Sequence, residues 1–404
     1  MTETAGQSIP LRTRLAVYGA GMFSDGASQV VVPLWLILLK PSAFEFGIVM
    51  GARALLPFLL SIHGGALMDR LGARQVMLFF ASVGLVLPIL FPLLPWITAA
   101  CILQLLVGLT TTMSWVGAQT LVGQTMKGNA DFAGKVSFSN RLGSLICPLV
   151  AGASWDAFGP WGGFGVMFCW TVLLLISALM LPRYAKDGVR SRGLALRDIV
   201  PRAEDHTRAF ALLAIPAVSV VAIGSVLNIA TGAIQNSFYI AYLEKVGLSG
   251  TLIGVLVAAT NVAALLGTVG FGRVIRRLGE LRVLNASVVG AIIAITATPL
   301  LASFGPLLAM SLFRGWSVGV GQPLMISIPS KAVPPGSQGS AVGLRIALNR
   351  LVQTVLPPLM GVVVGLIGLE ASFVAIGGTL LVLVSIFLVL LGVRRAKSRR
   401  TRPQ

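Results

Sequence analysis

Long apolar segments alternate with short polar connections along almost the whole chain. They form twelve runs, six on each side of a polar stretch at 183–208. Crossing the hydrocarbon core of a membrane takes about 20 apolar residues, and each run approaches or exceeds that length. The pattern therefore predicts an all-α integral membrane protein. Its twelve predicted transmembrane helices are 14–39, 45–67, 75–94, 97–121, 133–155, 161–182, 209–243, 250–272, 282–303, 305–328, 340–365 and 368–393.

Composition supports a membrane protein and argues against a soluble one. Hydrophobic residues make up 56% of the chain and charged residues 11%, whereas a soluble domain carries about a quarter charged residues. The three cysteines, Cys101, Cys147 and Cys169, fall in apolar runs, so we interpret them as small buried hydrophobic residues. The first apolar run is too long for the core of a signal peptide, and it is therefore predicted to be a retained helix.

Basic residues predict the orientation of the chain in the membrane. They cluster at alternate connections, whereas the opposite connections hold little beyond Lys40 and Lys245. This asymmetry predicts a multi-pass protein of the inner (plasma) membrane with both termini in the cytoplasm. It also explains much of the net charge of +18 without a nucleic-acid partner. We expect a monomer whose basic C-terminal tail contacts anionic lipid.

The two halves of the chain resemble each other. We divide the chain into an N-terminal six-helix half at 1–182, a cytoplasmic linker at 183–208, and a C-terminal half with its basic tail at 209–404. Three local matches recur in order, at offsets of 206, 207 and 209 residues: 25–29 with 231–235, 65–72 with 272–279, and 140–142 with 349–351. Parallel six-helix repeats are a transporter design, with the substrate site near the membrane midplane where the repeats meet.

The connection between the second and third predicted helices carries a specific motif. Residues 65–74 read Gly-Ala-Leu-Met-Asp-Arg-Leu-Gly-Ala-Arg. This spacing resembles the signature loop of the major facilitator superfamily, and the resemblance extends over the whole chain. It implies an alternating-access fold in which Asp69, Arg70 and Arg74 form a gate that locks the cytoplasmic side in the outward-facing state. The alternative is that the basic residues only satisfy the positive-inside rule.

A second resemblance lies in the fifth predicted helix. Gly134, Gly143, Pro148 and Gly152 follow the pattern of family antiporters, although small residues replace two further glycines. The pattern implies an exporter of the drug:proton antiporter type, and ordinary close packing of helices is the alternative. In the fourth predicted helix, Gln104 stands where many relatives carry an arginine linked to proton coupling, which weakens the transfer of that coupling mechanism.

An acid inside a predicted span is a candidate for proton coupling, because ionisable residues in a membrane are costly. Asp25 is the acid that lies deep in a span, about 16 Å along the helix from Arg14 and near the midplane. We therefore predict that Asp25 carries the coupled proton. The alternative is a structural ion pair with Arg53 or Arg141.

Arginines inside the predicted spans outnumber this acid. Arginine suits bidentate recognition of carboxylate or phosphate, so the set predicts an anionic or zwitterionic substrate. For the repeat equivalents Arg141 and Arg350, the alternative is a bracing role. The predicted substrate-binding arginines are Arg53, Arg141, Arg314 and Arg350.

Polar side chains also gather in the seventh predicted helix. Their spacings of three, four and eight residues place several of them on one helical face. A polar stripe inside a membrane must face protein or a water-filled cavity, so we predict that helices 1 and 7 form cavity walls; hydrogen bonds between helices are the alternative. The predicted lining residues are Gln29, Asn228, Thr231, Gln235, Asn236 and Tyr239.

These patterns predict a proton-coupled secondary transporter that exports amphipathic or anionic small organic compounds by alternating access. Uptake of an organic anion together with protons is the alternative. An enzyme is not predicted, because the sequence shows no clustered metal ligands, no nucleophile–base pairing and no phosphate-binding glycine loop. No cofactor is expected. The chain also has no Walker-type sequence, which argues against a primary pump, and two similar halves with a charged loop fit a channel poorly.

Overall fold

The computed structural model describes residues 10–24, 28–125, 130–181, 211–325, 328 and 338–400, without the side chains of some helical residues. These residues form α-helices joined by short turns. Asp25 and the predicted linker at 183–208 lie outside the described residues.

Among the described residues, the first half contains six helical stretches. In chain order, they are α1 (Leu11–Phe23), α2 (Ser28–Leu38), α3 (Ala43–Leu71), α4 (Ala73–Leu93), α5 (Ile97–Thr125) and α6 (Ala130–Met180). Within α6 the backbone leaves the helical conformation at Gly159, with φ 62° and ψ −152°, and Pro160 follows. A positive φ is readily available to glycine. This break separates the fifth and sixth predicted spans, as expected.

The second half begins with a helix that is broken near its end. Its helices are α7 (Pro216–Gln235), α8 (Phe238–Lys245), α9 (Gly250–Leu278), α10 (Glu280–Thr296), α11 (Phe304–Gly321), α12 (Gln338–Ile367) and α13 (Leu369–Arg400). The span predicted at 209–243 corresponds to one candidate membrane span, Val218–Lys245, but its helix is interrupted at 236–237, which the sequence did not predict. The hydroxyl of Ser237 donates a hydrogen bond to the carbonyl of Ala233 at 2.6 Å, and its backbone is non-helical, with φ −133° and ψ −97°. Serine competes in this way with the helical hydrogen-bond ladder.

The fold class predicted from hydropathy is confirmed. Nine segments of the described residues are long and apolar enough to cross a membrane, and one of them, Gly134–Met180, has 47 residues and contains two predicted spans. The ninth and tenth predicted spans correspond to α10, with 17 residues, and α11, with 18.

The expectation that all three cysteines are buried is wrong for Cys169. All three are free thiols; Cys147 is buried, Cys101 is half-buried and Cys169 is exposed. An apolar run in a membrane protein has a face toward lipid as well as a face toward protein, and hydropathy does not distinguish the two.

Contacts within the chain define two compact units. The first comprises Met1–Pro41, Ile48–Arg208 and Leu248–Ala258, and the second comprises Ser42–Gly47, Ala209–Gly247 and Ala259–Gln404. The beginning of α9 thus belongs to the first unit and the beginning of α3 to the second. Each unit has a buried apolar core of its own, around Met68, Met77 and Met113 in the first and around Leu284 and Ile292 in the second.

The internal repeat seen in the sequence is also a repeat of packing. In the first unit α6 packs on α1, and in the second α12 packs on α7. Asn140 donates to the carbonyl of Gly21 on α1 at 3.1 Å. Its repeat equivalent Asn349 accepts a hydrogen bond from Ser225 on α7 at 2.9 Å. The same asparagine therefore joins the same pair of helices in each half.

Candidate substrate site

A pocket in the second unit brings several predicted site residues together. Gln235 and Tyr239 come from α7 and α8, and Arg314 comes from α11. The remaining wall is mostly apolar and includes Ala294, Ile295, Thr298, Leu307, Met310 and Ser311. An apolar pocket with a few convergent polar groups is the usual form of a small-molecule site.

Arg314 is the charged group of this pocket. Only 6% of its surface is exposed, and its Nη2 donates to the hydroxyl of Thr231 at 3.2 Å. Its Nε has no hydrogen-bond partner, and no carboxylate of the described residues pairs with it. A guanidinium has five donors, and a buried charge without a counter-charge is costly. The pocket therefore offers unused donors and a positive charge to an anion.

The other polar groups of the pocket are held by neighbouring helices. The hydroxyl groups of Tyr239 and Ser311 lie 2.9 Å apart within hydrogen-bond distance, and Gln235 donates through Nε2 to Thr260 at 3.0 Å. Asn228, which does not line the pocket, is buried one turn before Thr231, and its Nδ2 has no partner. These contacts fix the orientation of the side chains around Arg314.

Local sequence explains why these groups converge. Thr231 and Gln235 are four residues apart on α7, so they share one face of the helix. Tyr239 reaches the same pocket although the helix breaks between it and Gln235. On α11, Gly315 lies so close to the carbonyl of Thr260 that a Cβ would collide with it. This close approach places Arg314 on α11 next to the segment of α9 that carries Thr260, the partner of Gln235.

A second pocket lies within the first unit. At one side the rings of Phe23 and Trp170 meet edge to face, with centroids 5.0 Å apart. Among the described residues, its lining contains hydroxyl groups and no charged side chain. The hydroxyl of Ser28 is buried and has no partner among the described residues. This part of the lining suits an aromatic ring with polar substituents. The hydroxyl-bearing residues are Ser24, Ser28, Thr110, Thr111, Ser114 and Thr171.

The first half has a counterpart of the polar network around Arg314. At offsets of 206 or 207 residues, Gln29, Arg53 and Gln104 correspond to Gln235, Thr260 and Ser311. Gln29 and Arg53 are half-buried, whereas Gln104 is fully buried and neither of its amide atoms has a partner among the described residues. Sequence analysis overlooked Gln104, Thr260 and Ser311 as site candidates. Extending the repeat alignment to helices 2, 4, 8 and 10 would have identified them.

Other predicted binding residues lie elsewhere. Arg53, Arg141 and Arg350 are half-buried and line neither of these two pockets. Arg350 donates to Gln353 on its own helix at 3.1 Å. Asn236 is half-buried at the end of α7 and also lines neither pocket. The structure therefore brings together Arg314, Thr231, Gln235 and Tyr239 and leaves the binding roles of the others as predictions.

The predicted gate is described in part. Asp69 and Arg70 lie in the last turn of α3, and their side chains are outside the described residues. Arg74 donates through Nε to the carbonyl of Leu181 at 2.9 Å. A cation near the C-terminal end of a helix is favourable, so Arg74 ties the start of α4 to the end of α6. The gate roles of all three residues stay predictions.

Comparison with known proteins identifies the class. The model of the Major Facilitator Superfamily matches residues 15–220 and 221–404, one match for each half. The chain belongs to this family, and it is a membrane transport protein and not an enzyme.

The similar proteins include exporters. The chain is 27% identical over 395 residues to the enterobactin exporter EntS of Escherichia coli O1:K1 / APEC, covering 94% of this chain and 91% of that protein. It is 26% identical, with the same coverage, to EntS of Escherichia coli O81 (strain ED1a).

Solved structures with the same fold include other transporters. The nucleoside transporter NupG superposes with a TM-score of 0.75 at 15% identity, over 95% of this chain and 99% of that chain. A bacterial homologue of the human lysosomal transporter Spinster gives 0.70 at 16% identity, over 96% of both chains. The human organic anion transporter MFSD10 gives 0.60 at 16% identity, over 92% and 97%. At these identities the likeness shows the fold alone.

Proposed function

We propose that this chain is a proton-coupled exporter of amphipathic organic anions and that Arg314 binds the anionic group. The observation that carries the proposal is the buried guanidinium of Arg314, which has an unpartnered Nε and no carboxylate partner among the described residues. A bound carboxylate would supply the missing charge and accept hydrogen bonds in the bidentate geometry that arginine favours. The apolar wall of the pocket favours a ligand whose charged group is attached to an apolar body.

Two further observations support an amphipathic substrate that leaves the cell. The described lining of the pocket in the first unit, with Phe23 and Trp170 at its side, suits an aromatic group. The similar EntS proteins are exporters, and the spacing of Gly143, Pro148 and Gly152 follows the antiporter pattern. Uptake of an organic anion with protons is the second candidate, because Arg314 would serve either direction.

The remaining parts of the proposal rest on the sequence. Asp25 carries the coupled proton, because it is the acid placed near the midplane of a predicted span. Both termini lie in the cytoplasm, following the distribution of basic residues. The protein works as a monomer, and its basic tail contacts anionic lipid.

The test measures transport of a matched pair of compounds in everted membrane vesicles. An exporter accumulates its substrate in such vesicles when they are energised. We expect wild-type vesicles to accumulate a hydroxybenzoate, and we expect Arg314→Gln to lower this accumulation tenfold or more, because stranding a buried charge partner costs about 2 kcal/mol or more. The uncharged benzamide of the same shape should respond much less.

Controls separate charge recognition from folding. Arg276→Gln removes an exposed arginine at the end of α9 and should leave accumulation unchanged. Equal losses for the carboxylate and the amide in Arg314→Gln would refute a role for Arg314 in binding the anion. Accumulation in right-side-out vesicles, and not in everted ones, would favour uptake.

A further inference from the structure

The carboxylate of Asp156 binds the first turn of α9. Asp156 lies three residues before the break at Gly159 in α6. Its Oδ1 accepts a hydrogen bond from the amide of Gly250 at 2.7 Å, and its Oδ2 accepts from the amide of Thr251 at 2.7 Å and from the Thr251 hydroxyl. Amides in the first turn of a helix have no acceptor within the helix. A carboxylate there is also favoured by the helix dipole. Asp156 therefore caps the first turn of α9 from another helix, beside the local cap Ser249, whose hydroxyl accepts a hydrogen bond from the amide of Leu252 at 3.4 Å.

Glycines bring α6 and α9 close enough for this contact. A Cβ on Gly152 would collide with the carbonyl of Gly250, and a Cβ on Gly254 would collide with the carbonyl of Pro148. A Cβ on Gly250 would press against Oδ1 of Asp156 itself. The two helices therefore touch backbone to backbone over more than one turn, and Asp156 adds charge-assisted hydrogen bonds to that contact.

The repeat supplies an equivalent contact in the second unit. Gly361 on α12 lies against the carbonyl of Ala43, and Gly47 on α3 lies against the carbonyl of Pro357. Relative to Gly152 on α6 and Gly254 on α9, these glycines are shifted by 209 and 207 residues respectively. The close backbone packing is therefore present in both units.

The helix caps at these two equivalent contacts differ. The position equivalent to Asp156 is Gly365, and a Cβ there would meet nothing within 4 Å. The start of α3 is capped from within its own segment: the amide of Ser42 donates to Oε2 of Glu45 at 2.8 Å, and the amide of Glu45 donates to the Ser42 hydroxyl at 3.3 Å. This reciprocal pair is a capping box. Its acid is local, whereas the acid at α9 comes from another helix.

We propose that Asp156 is a latch residue, which holds α6 to α9 at the end of the spans opposite the 65–74 loop. Along the chain, α6 belongs to the first half and α9 to the second. In alternating access, contacts between the halves form at one end while they break at the other. Separation of α6 from α9 removes the carboxylate of Asp156 from the first turn of α9. The capping box of Ser42 and Glu45 at the start of α3 would stay intact in the equivalent movement, because both residues belong to one segment. Asp156 therefore stabilises the state that is closed at this end, which is the external side in the proposed orientation.

The test is a distance measurement by pulsed electron paramagnetic resonance on the full chain. Spin labels are attached to cysteines at Phe158 and Glu244, both exposed, after the three native cysteines are replaced by alanine. Asp156→Ala should raise the ratio of long to short distances by roughly 2- to 30-fold, the range that corresponds to loss of an N-cap. Thr251→Val removes one of three donors and should produce a smaller shift in the same direction.

Glu45→Ala is the matched control, because it removes a cap of the same chemistry that stays within one segment. It should lower thermal stability and leave the distances unchanged. If Asp156→Ala and Glu45→Ala both lower stability and neither changes the distances, Asp156 is a static cap and the proposal fails. If Asp156→Ala does not fold, the distances are measured in Thr251→Val instead. Unchanged distances in that variant overturn the proposal. The proposal rests on the alternating access of the proposed function. The distance measurement needs no substrate, so a failure of the export assay and a failure of the latch proposal can be distinguished.

Discussion

At the scale of single residues, Gln104 is a buried polar group without a partner. It is fully buried on α5, and neither amide atom is hydrogen-bonded within the described part of the chain. Leaving a buried donor or acceptor unsatisfied costs about 1–3 kcal/mol. A residue retained at this cost is a candidate for contact with substrate, and Gln104 is the repeat equivalent of Ser311 in the pocket of Arg314.

This cost predicts an unusual response to substitution. Gln104→Leu should raise the free energy of unfolding of the substrate-free protein by about 1 kcal/mol or more, because it removes two unsatisfied groups at similar volume. It should also lower transport. Thermal unfolding in detergent measures the first effect and vesicle transport the second. Gln353→Leu is the control, since it removes an amide that accepts a hydrogen bond from Arg350 and should not stabilise. A less stable Gln104→Leu would show that the amide is satisfied in solution.

Sequence predicted part of the site at this scale. A charge inside an apolar run identified Arg314, and helical spacing identified Thr231, Gln235 and Tyr239. The contacts themselves could not be predicted, because Arg314 bonds to a residue 83 positions away. Spacing gives the face of one helix and not the neighbour that this face meets. For the same reason Arg53 could not be distinguished from Arg314 before the packing was known.

At the scale of helices, glycines set the distances between neighbours. A Cβ on Gly108 would collide with the carbonyl of Arg53, and a Cβ on Gly315 would collide with the carbonyl of Thr260. Both glycines and both carbonyls are related by the repeat offset of 207 residues. Close approach of backbones at small residues is typical of helix packing in membranes. The antiporter-like glycines Gly143 and Gly152 have the same kind of contact, so packing explains at least part of that motif.

Substituting these glycines should therefore destabilise both units. We expect Gly108→Ala and Gly315→Ala each to lower the free energy of unfolding by about 1–3 kcal/mol, the usual cost of overpacking, because a backbone carbonyl cannot move aside as a side chain can. Thermal unfolding in detergent measures the effect. Gly134→Ala should cost nothing comparable, since a Cβ there meets no atom within 4 Å. Equal stability of all three variants would contradict the assignment.

Helix positions were largely predictable, and helix breaks were predictable only in part. Gly159 and Pro160 separate two apolar runs in the sequence, so the break in α6 agrees with the prediction. The break at Ser237 lies at three consecutive polar residues, Gln235, Asn236 and Ser237, which the sequence prediction assigns to a polar stripe on one helix and not to a break. The hydroxyl of Ser237 bonds to the carbonyl of Ala233 at the break, but Ser114 and Ser177 make the same type of bond within intact helices, so this bond alone could not have predicted the break.

At the scale of the whole molecule, the two halves share their packing and differ in their charges. Arg314 corresponds to Val107, and Asp156 corresponds to Gly365. Symmetric packing provides two similar halves, whereas transport needs groups that bind a substrate, carry a proton and close a pathway. The repeat alignment therefore indicates functional candidates at the positions where the two halves disagree in charge.

Asp25 is such a position, and it gives the sharpest test of coupling. It lies outside the described residues, but its repeat equivalent Thr231 is buried and accepts a hydrogen bond from Arg314. A lone acid at the midplane costs about 3 kcal/mol on insertion scales, so a purely structural role would be served by asparagine. Asp25→Asn resembles the protonated acid. It should abolish accumulation driven by an imposed pH gradient in proteoliposomes and spare substrate exchange, which needs no net proton movement.

The control for this variant is Thr231→Val, which changes the equivalent position of the other half. It removes the hydroxyl that accepts from Arg314, so it should alter substrate affinity and leave the dependence on the pH gradient intact. Accumulation and exchange are measured on the same vesicles, which separates coupling from binding. If Asp25→Asn still accumulates substrate in response to the gradient, Asp25 does not carry the coupled proton. His63 on α3, or a driving ion other than the proton, would then have to take that role, because Arg314, the charged residue of the pocket, is an arginine that stays protonated throughout the cycle.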